Sequence, residues 1–90
     1  MTLQQLRDLE AVVHHGSFRA AARALRASQP GLTKSIGRLE ATCGRRLVTR
    51  SPRGTLLTAD GRAFMELASA VLRAAERADA WLQRTPDLKA

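Results

Sequence analysis

Residues 26–40, "RASQPGLTKSIGRLE", decide how the chain folds. Leu32, Ile36 and Leu39, continued by Cys43, recur at i, i+4, i+7 and i+11, which places them on one stripe of an α-helix. Ser28 is a suitable N-cap, because its hydroxyl can accept an orphan backbone N–H. Pro30 falls in the first turn, where a missing N–H is harmless. Gly44 stands where a left-handed C-cap belongs. With the stripe turned inward, Gln29, Pro30, Gly31, Thr33 and Lys34 are left on or near the opposite face. A hydrophobic core has no use for such a polar, small and cationic first turn.

The segments on either side continue the helical pattern. Upstream, Leu3, Leu6, Leu9 and Val13 recur at helical steps over residues 3–15, behind a Thr2-x-x-Gln5 capping box and ahead of a stop at Gly16. Ser17 caps a second helix, "FRAAARAL", whose Phe18, Ala21, Ala22 and Leu25 are expected to face inward. Two short helices about three residues apart, the first alanine-rich and the second serine-capped, suggest a helix-turn-helix, with Leu25, Ala27, Leu32 and Ile36 as its shared core. Downstream, "RRLVTRSPRGTLLT" carries two short β-prone runs around a Ser51–Gly54 turn, the pattern of a small hairpin. Thr58 then caps a long helix, expected to reach about Arg84 before Pro86 ends it. The domain organisation expected is residues 1–58 as a winged unit, 59–85 as a linker helix and 86–90 as a tail.

Charge is concentrated on this central unit. The 90-residue chain carries a formal +7, and residues 19–53 hold nine basic side chains against one acid, Glu40. Such a basic block suits a polyanionic partner. Cys43 is the single cysteine, so no intrachain disulfide is possible. No leader pattern and no long uncharged apolar run stand out, and a cytoplasmic, nucleoid-associated location is the expectation. Enzymatic function is not expected either. The sequence offers no nucleophile–base pair, no metal-ligand set and no glycine-rich phosphate loop. His14 and His15 are adjacent and point different ways, so no metal or cofactor is expected.

The second helix of a helix-turn-helix presents its N-terminal part to the DNA major groove. Gln29 has the amide needed to bind an adenine edge through two hydrogen bonds. Thr33 can meet a base edge, a thymine methyl or a phosphate, and Lys34 a guanine or a phosphate. Arg19, Arg23, Arg26, Ser28 and Arg38 are expected on phosphates. In the hairpin, Arg50, Ser51 and Arg53 would approach either the neighbouring minor groove or its phosphates.

"GSFRAAARALRASQPGLTKSIGRLE" followed by "LVTRSPRGTLLTADGRAF" resembles the N-terminal DNA-binding domain of LysR-type transcriptional regulators. The likeness runs from Leu3 to about Leu82, on the linked pattern A-A-x-x-L, S-Q-P-x-L-[ST]-x-x-I-x-x-L-E, R-x-x-R-G and L-T-x-x-G. It implies a mainly α winged helix-turn-helix, three helices plus a hairpin wing, followed by a long dimerising helix. It also implies groove contacts from Gln29, Pro30, Gly31, Thr33 and Lys34, with Arg50, Ser51 and Arg53 in the wing. The family carries a longer C-terminal effector-sensing domain, so the small-molecule effector is expected only in a longer parent.

Some positions depart from the family pattern. Gly31 stands where alanine or proline is frequent, Lys34 where arginine is, Val48 where phenylalanine is common and Cys43 where leucine is usual. Cys43 is accordingly expected as a small buried group. Gly37 lies in mid-helix, at a cost of roughly 1 kcal/mol against alanine. In the last helix Phe64, Ala68, Val71, Ala75, Ala78 and Leu82 alternate at steps of four and three, a coiled-coil seam with Trp81 beside it. Pairing with a second copy through this seam would give a homodimer that reads an interrupted palindrome of double-stranded DNA. The alternatives are a non-specific architectural DNA binder and a helical interaction module.

Overall fold

The computed structural model describes residues 1–84; the expected helix stop at Pro86 and the 86–90 tail lie outside the described residues. The order of elements is α1 (Leu3–His15), α2 (Phe18–Leu25), α3 (Gln29–Cys43), β1 (Val48–Ser51), β2 (Gly54–Leu57) and α4 (Ala59–Leu82). Local chemistry sets each helix start. Thr2 and Gln5 form the reciprocal capping box, and the hydroxyls of Ser17, Ser28 and Thr58 accept the amides of Ala20, Gly31 and Gly61. Gly16 and Gly44 end α1 and α3 in the left-handed conformation.

The core gathers Leu6, Leu9 and Val12 from α1, Phe18, Ala21 and Ala22 from α2, Leu32, Ile36 and Leu39 from α3, then Leu47, Val48, Ala68 and Leu72. Several inward assignments shift. On α1 the buried arc runs through Val12, and Leu3 and Val13 are exposed at its margins. On α2, Leu25 is 40% exposed, and Ala27 is exposed in the turn. The reason is the abrupt end of α2. Leu25 is the last residue of α2, beyond the buried Ala21 and Ala22, and Arg26 then takes the left-handed conformation (φ 54°), which leaves Ala27 in the turn outside the core. The helix-turn-helix core is therefore Phe18, Ala21 and Ala22 against Leu32 and Ile36. Cys43 is half-buried at the core margin rather than fully enclosed.

Leu47 joins the parts. Its side chain is 1% exposed, and fully burying a leucine stabilises by about 1.5–3 kcal/mol. Its N–H donates to the Glu40 carboxylate at the end of α3 (2.7 Å), and its carbonyl accepts from Thr58 N–H (2.9 Å). Glu40 also accepts from Val48 N–H, and the Thr58 hydroxyl donates to the Arg46 carbonyl. The start of the wing and the start of α4 are thus pinned to the C-terminal end of α3. A Cβ at Gly61 would lie 2.0 Å from the Leu47 carbonyl oxygen, so this crossing needs glycine. The wing pairs Val48 with Leu57 through Ser51 with Gly54. Its far end rests on the α1–α2 turn, where Thr55 N–H donates to the Gly16 carbonyl at 2.8 Å.

Two polar links complete the packing. Asp8, nearly buried, accepts hydrogen bonds from Ser35 on α3 and Gln4 on its own helix. Arg73 on α4 donates to Glu10 on α1 and to Glu76 (3.0–3.1 Å), bonds that hold this exposed guanidinium more firmly protonated. No helix among the described residues is long and apolar enough to cross a membrane.

Glycine chemistry separates two sites sharply. Gly61→Ala should force the helix off the Leu47 carbonyl and destabilise by at least the ~1–3 kcal/mol typical of overpacking. Gly37 has open space where a Cβ would go. Gly37→Ala should therefore stabilise the fold by about 1 kcal/mol. Urea unfolding followed by circular dichroism measures both; equal effects at the two positions would contradict the crossing assigned to Gly61.

Candidate nucleic-acid interface

The interface is built on the start of α3. Because Leu32, Ile36 and Leu39 are buried, Ser28, Gln29, Pro30, Gly31, Thr33 and Lys34 are all exposed together. Ser28 is engaged as the cap. A Cβ at position 31 would come within 2.8 Å of the Ser28 hydroxyl, so Gly31 leaves that cap undisturbed. Pro30 contributes no N–H to this turn, and the amides of Gly31 and Leu32 are taken up by the hydroxyl and the carbonyl of Ser28.

Arg19, Gln29, Arg50 and Ser51 line one shallow cleft with Phe18, Gly54 and Thr55, where the starts of α2 and α3 meet the wing. Thr33 and Arg50 border the next cleft along, with Gly37, Glu40 and Arg46. Lys34 and Arg38 lie on the other flank of α3, facing a third cleft against Gln4 and Gln5 of α1. Arg23 and Arg26 are exposed at the end of α2, outside these clefts, and Arg53 is exposed in the hairpin turn. Among the described residues the cations in ion pairs are Arg46, with Glu40 at 3.7 Å, and Arg73, with Glu10 and Glu76. The basic side chains expected on DNA are not neutralised internally.

Two wing residues differ from the simple picture of side chains held out towards a groove. Ser51 shapes the turn, with its hydroxyl donating to the Gly54 carbonyl and accepting from Arg53 N–H. Arg50 folds back towards α3, its guanidinium stacked on Phe18 and hydrogen-bonded to Thr33. Sequence reasoning missed that bridge. It also missed Glu40, although a single acid in a run of nine basic residues was a visible signal.

The coiled-coil seam on α4 needs correction. Ala68 is buried in the domain's own core and Phe64 packs against it, as does Leu72, which the expected seam left out. Val71, Ala78, Trp81 and Leu82 of the expected set are exposed, and Leu67 and Ala74 join Val71, Ala78 and Trp81 on a stripe at alternating steps of four and three. Ala75 is half-buried. The first turns of α4 cover the winged unit, and that requirement sets which of its apolar residues are left exposed.

The family described as "Bacterial regulatory helix-turn-helix protein, lysR family" matches residues 3–62. The SDS degradation transcriptional activation protein of Pseudomonas sp. (strain ATCC 19151) is 47% identical over 70 residues, 78% of this chain and 23% of that protein. The HTH-type transcriptional regulator TcbR of Pseudomonas sp. (strain P51) is 44% identical over 77 residues, covering 86% of this chain and 26% of that protein. The chain thus spans about a quarter of the length of these relatives. Among solved structures, the CbnR_DBD–DNA complex superposes with a TM-score of 0.84 at 41% identity, over 92% of this chain and 95% of that one. The BenM_DBD/benA site 1 DNA complex gives 0.85 at 33% identity, over 93% and 98%. The fold, the exposed start of α3 and these likenesses agree: the chain belongs to the LysR family of bacterial regulatory helix-turn-helix proteins.

Proposed function

We propose that this chain is the DNA-reading part of a transcription regulator, binding double-stranded DNA sequence-specifically through the start of α3. The observation that carries this reading is the exposed Gln29–Lys34 turn, flanked by basic side chains that no acid among the described residues neutralises. Gln29, Thr33 and Lys34 read base edges, while Pro30 and Gly31 permit close approach. Arg19, Arg23, Arg26, Ser28 and Arg38 hold phosphates, and Arg53 at the wing tip reaches the adjacent backbone or minor groove. The solved DNA complexes of relatives support the same use of the fold. A cytoplasmic setting follows from that role.

Dimerisation completes the reading. The last buried residue of α4 is Leu72, yet the helix runs on to Leu82. Beside and beyond Leu72 it presents Val71, Ala74, Ala78 and Trp81, with Trp81 66% exposed. Among the described residues nothing covers this stripe. A second copy related by a two-fold axis buries it and sets two recognition helices on an interrupted palindrome.

Selection of bound DNA from a random pool at near-physiological salt tests the function, with an enriched two-fold motif expected. Gln29→Ala should then cost about 1–3 kcal/mol on that site and blur one base position. An unchanged preference would remove Gln29 from the reading set. A pool that binds without enrichment would make the chain an architectural binder with a steep salt dependence. Sedimentation should show Trp81→Glu shifting dimer to monomer while circular dichroism stays helical; a wild-type chain already monomeric at the same concentration would refute pairing through α4.

A further inference from the structure

Arg50 is held between Phe18 and Thr33. Its guanidinium carbon lies 3.5 Å from the centre of the Phe18 ring, and its Nη2 donates to Thr33 Oγ1 at 2.8 Å. Among the described residues no carboxylate pairs with it. A guanidinium is planar, permanently charged and purely a donor. Stacking on an aromatic face fixes its plane as well as lowering its energy. Arg50 therefore bridges three elements: β1, which carries it, α2, which supplies Phe18, and α3, which supplies Thr33.

The consequence falls on the threonine proton. Since arginine has no acceptor, Thr33 Oγ1 accepts in this pair and its own proton has to point elsewhere. A threonine within a helix commonly donates to the carbonyl one turn back. Thr42, on the same helix, does so to the Arg38 carbonyl at 3.1 Å. Among the described residues Thr33 has only the bond from Arg50. Its hydroxyl is exposed, polarised by a cation behind it and available as a donor on the outer face of α3.

We propose that Arg50 is a positioning residue for base selection: by donating to one lone pair of the Thr33 hydroxyl it orients that group and makes it a stronger donor and a weaker acceptor, so a base that presents an acceptor opposite Thr33 is favoured. Purine N7, guanine O6 and thymine O4 satisfy it. Cytosine, which offers only an amino donor in the major groove, does not. The inference rests on the sequence-reading function proposed above, with Thr33 in the groove, and it keeps Arg50 itself out of the minor groove.

The test is random-pool selection with the wild-type chain, Thr33→Val, Arg50→Met, Arg50→Lys and the Thr33→Val/Arg50→Met double variant, each checked for folding by circular dichroism. Thr33→Val and Arg50→Met should lose exclusion of cytosine at the same single base pair, by about fivefold or more, the worth of one hydrogen bond. The double variant should be no worse there than either single change, and Arg50→Lys, which keeps a cationic donor, should retain part of the exclusion. The proposal fails if Arg50→Met weakens every sequence alike and lowers the salt slope by about one unit, the behaviour of a phosphate contact. It fails equally if Thr33→Val alone leaves the motif intact. A wild-type pool without enrichment would overturn the sequence-reading function and this inference with it, whereas an enriched wild-type motif unchanged in Arg50→Met would overturn this inference alone.

Discussion

The placing of every functional part depends on the backbone of Leu47. Its amide is held by Glu40, its carbonyl by Thr58, and its side chain is sealed in the core. One residue thereby fixes where the recognition helix ends, where the wing begins and where α4 sets out. The Glu40 carboxylate is effective because it meets two backbone donors, Leu47 and Val48, in a half-buried position, where charge-assisted hydrogen bonds are stronger than neutral ones. Gly61 then allows α4 to pass against the Leu47 carbonyl at a distance that no side chain would permit. Truncating Leu47 would remove a fully enclosed leucine from this junction, a change that typically costs about 2–5 kcal/mol.

From this junction the geometry of the interface follows. With its C-terminal end tied to the wing and its inward stripe buried against α1 and α2, α3 has no freedom to roll, so its first turn stays uncovered. The wing is held at both ends, at Leu47 and at the Gly16 carbonyl, and only the Pro52–Arg53 tip projects. Arg50 ties the middle of the wing back to the face of α3 that carries Thr33. The exposed start of α3 is thus held from the wing side by Arg50, and cations lie on both of its flanks.

Much of the fold could be read from the sequence because its signals are local. Thr2, Ser17, Ser28 and Thr58 each cap the helix expected of them, and Gly16 and Gly44 each end one, since a cap depends on a few neighbouring atoms. The hairpin register follows from the Pro-Arg turn in the same way. What escaped the sequence depends on distant groups. Leu25 and Ala27 were assigned to the shared helix-turn-helix core, and a local pattern cannot register that α2 ends at Leu25 and that Arg26 then takes a left-handed conformation. The α4 seam was displaced because two heptad frames fit the same alanine-rich helix. Only the packing of α4 against α1 and β2 selects Ala68 and Leu72 as the inward pair. The folding-back of Arg50 could not be inferred from spacing, since Phe18 and Thr33 are joined to it only by tertiary packing. The exposure of Gln29, Pro30, Gly31, Thr33 and Lys34 was legible because the same argument that buries Leu32, Ile36 and Leu39 leaves them outside.

The most direct test of the account is an amide NMR titration of the isotope-labelled chain with a duplex carrying its selected site. Binding through the start of α3 and the wing predicts the largest shift changes at residues 28–34 and 50–54, with the outer face of α1 and the Ala59–Leu72 part of α4 little changed. The largest changes on α1 or α4, with residues 28–34 unmoved, would contradict it and move the DNA to another face of the molecule.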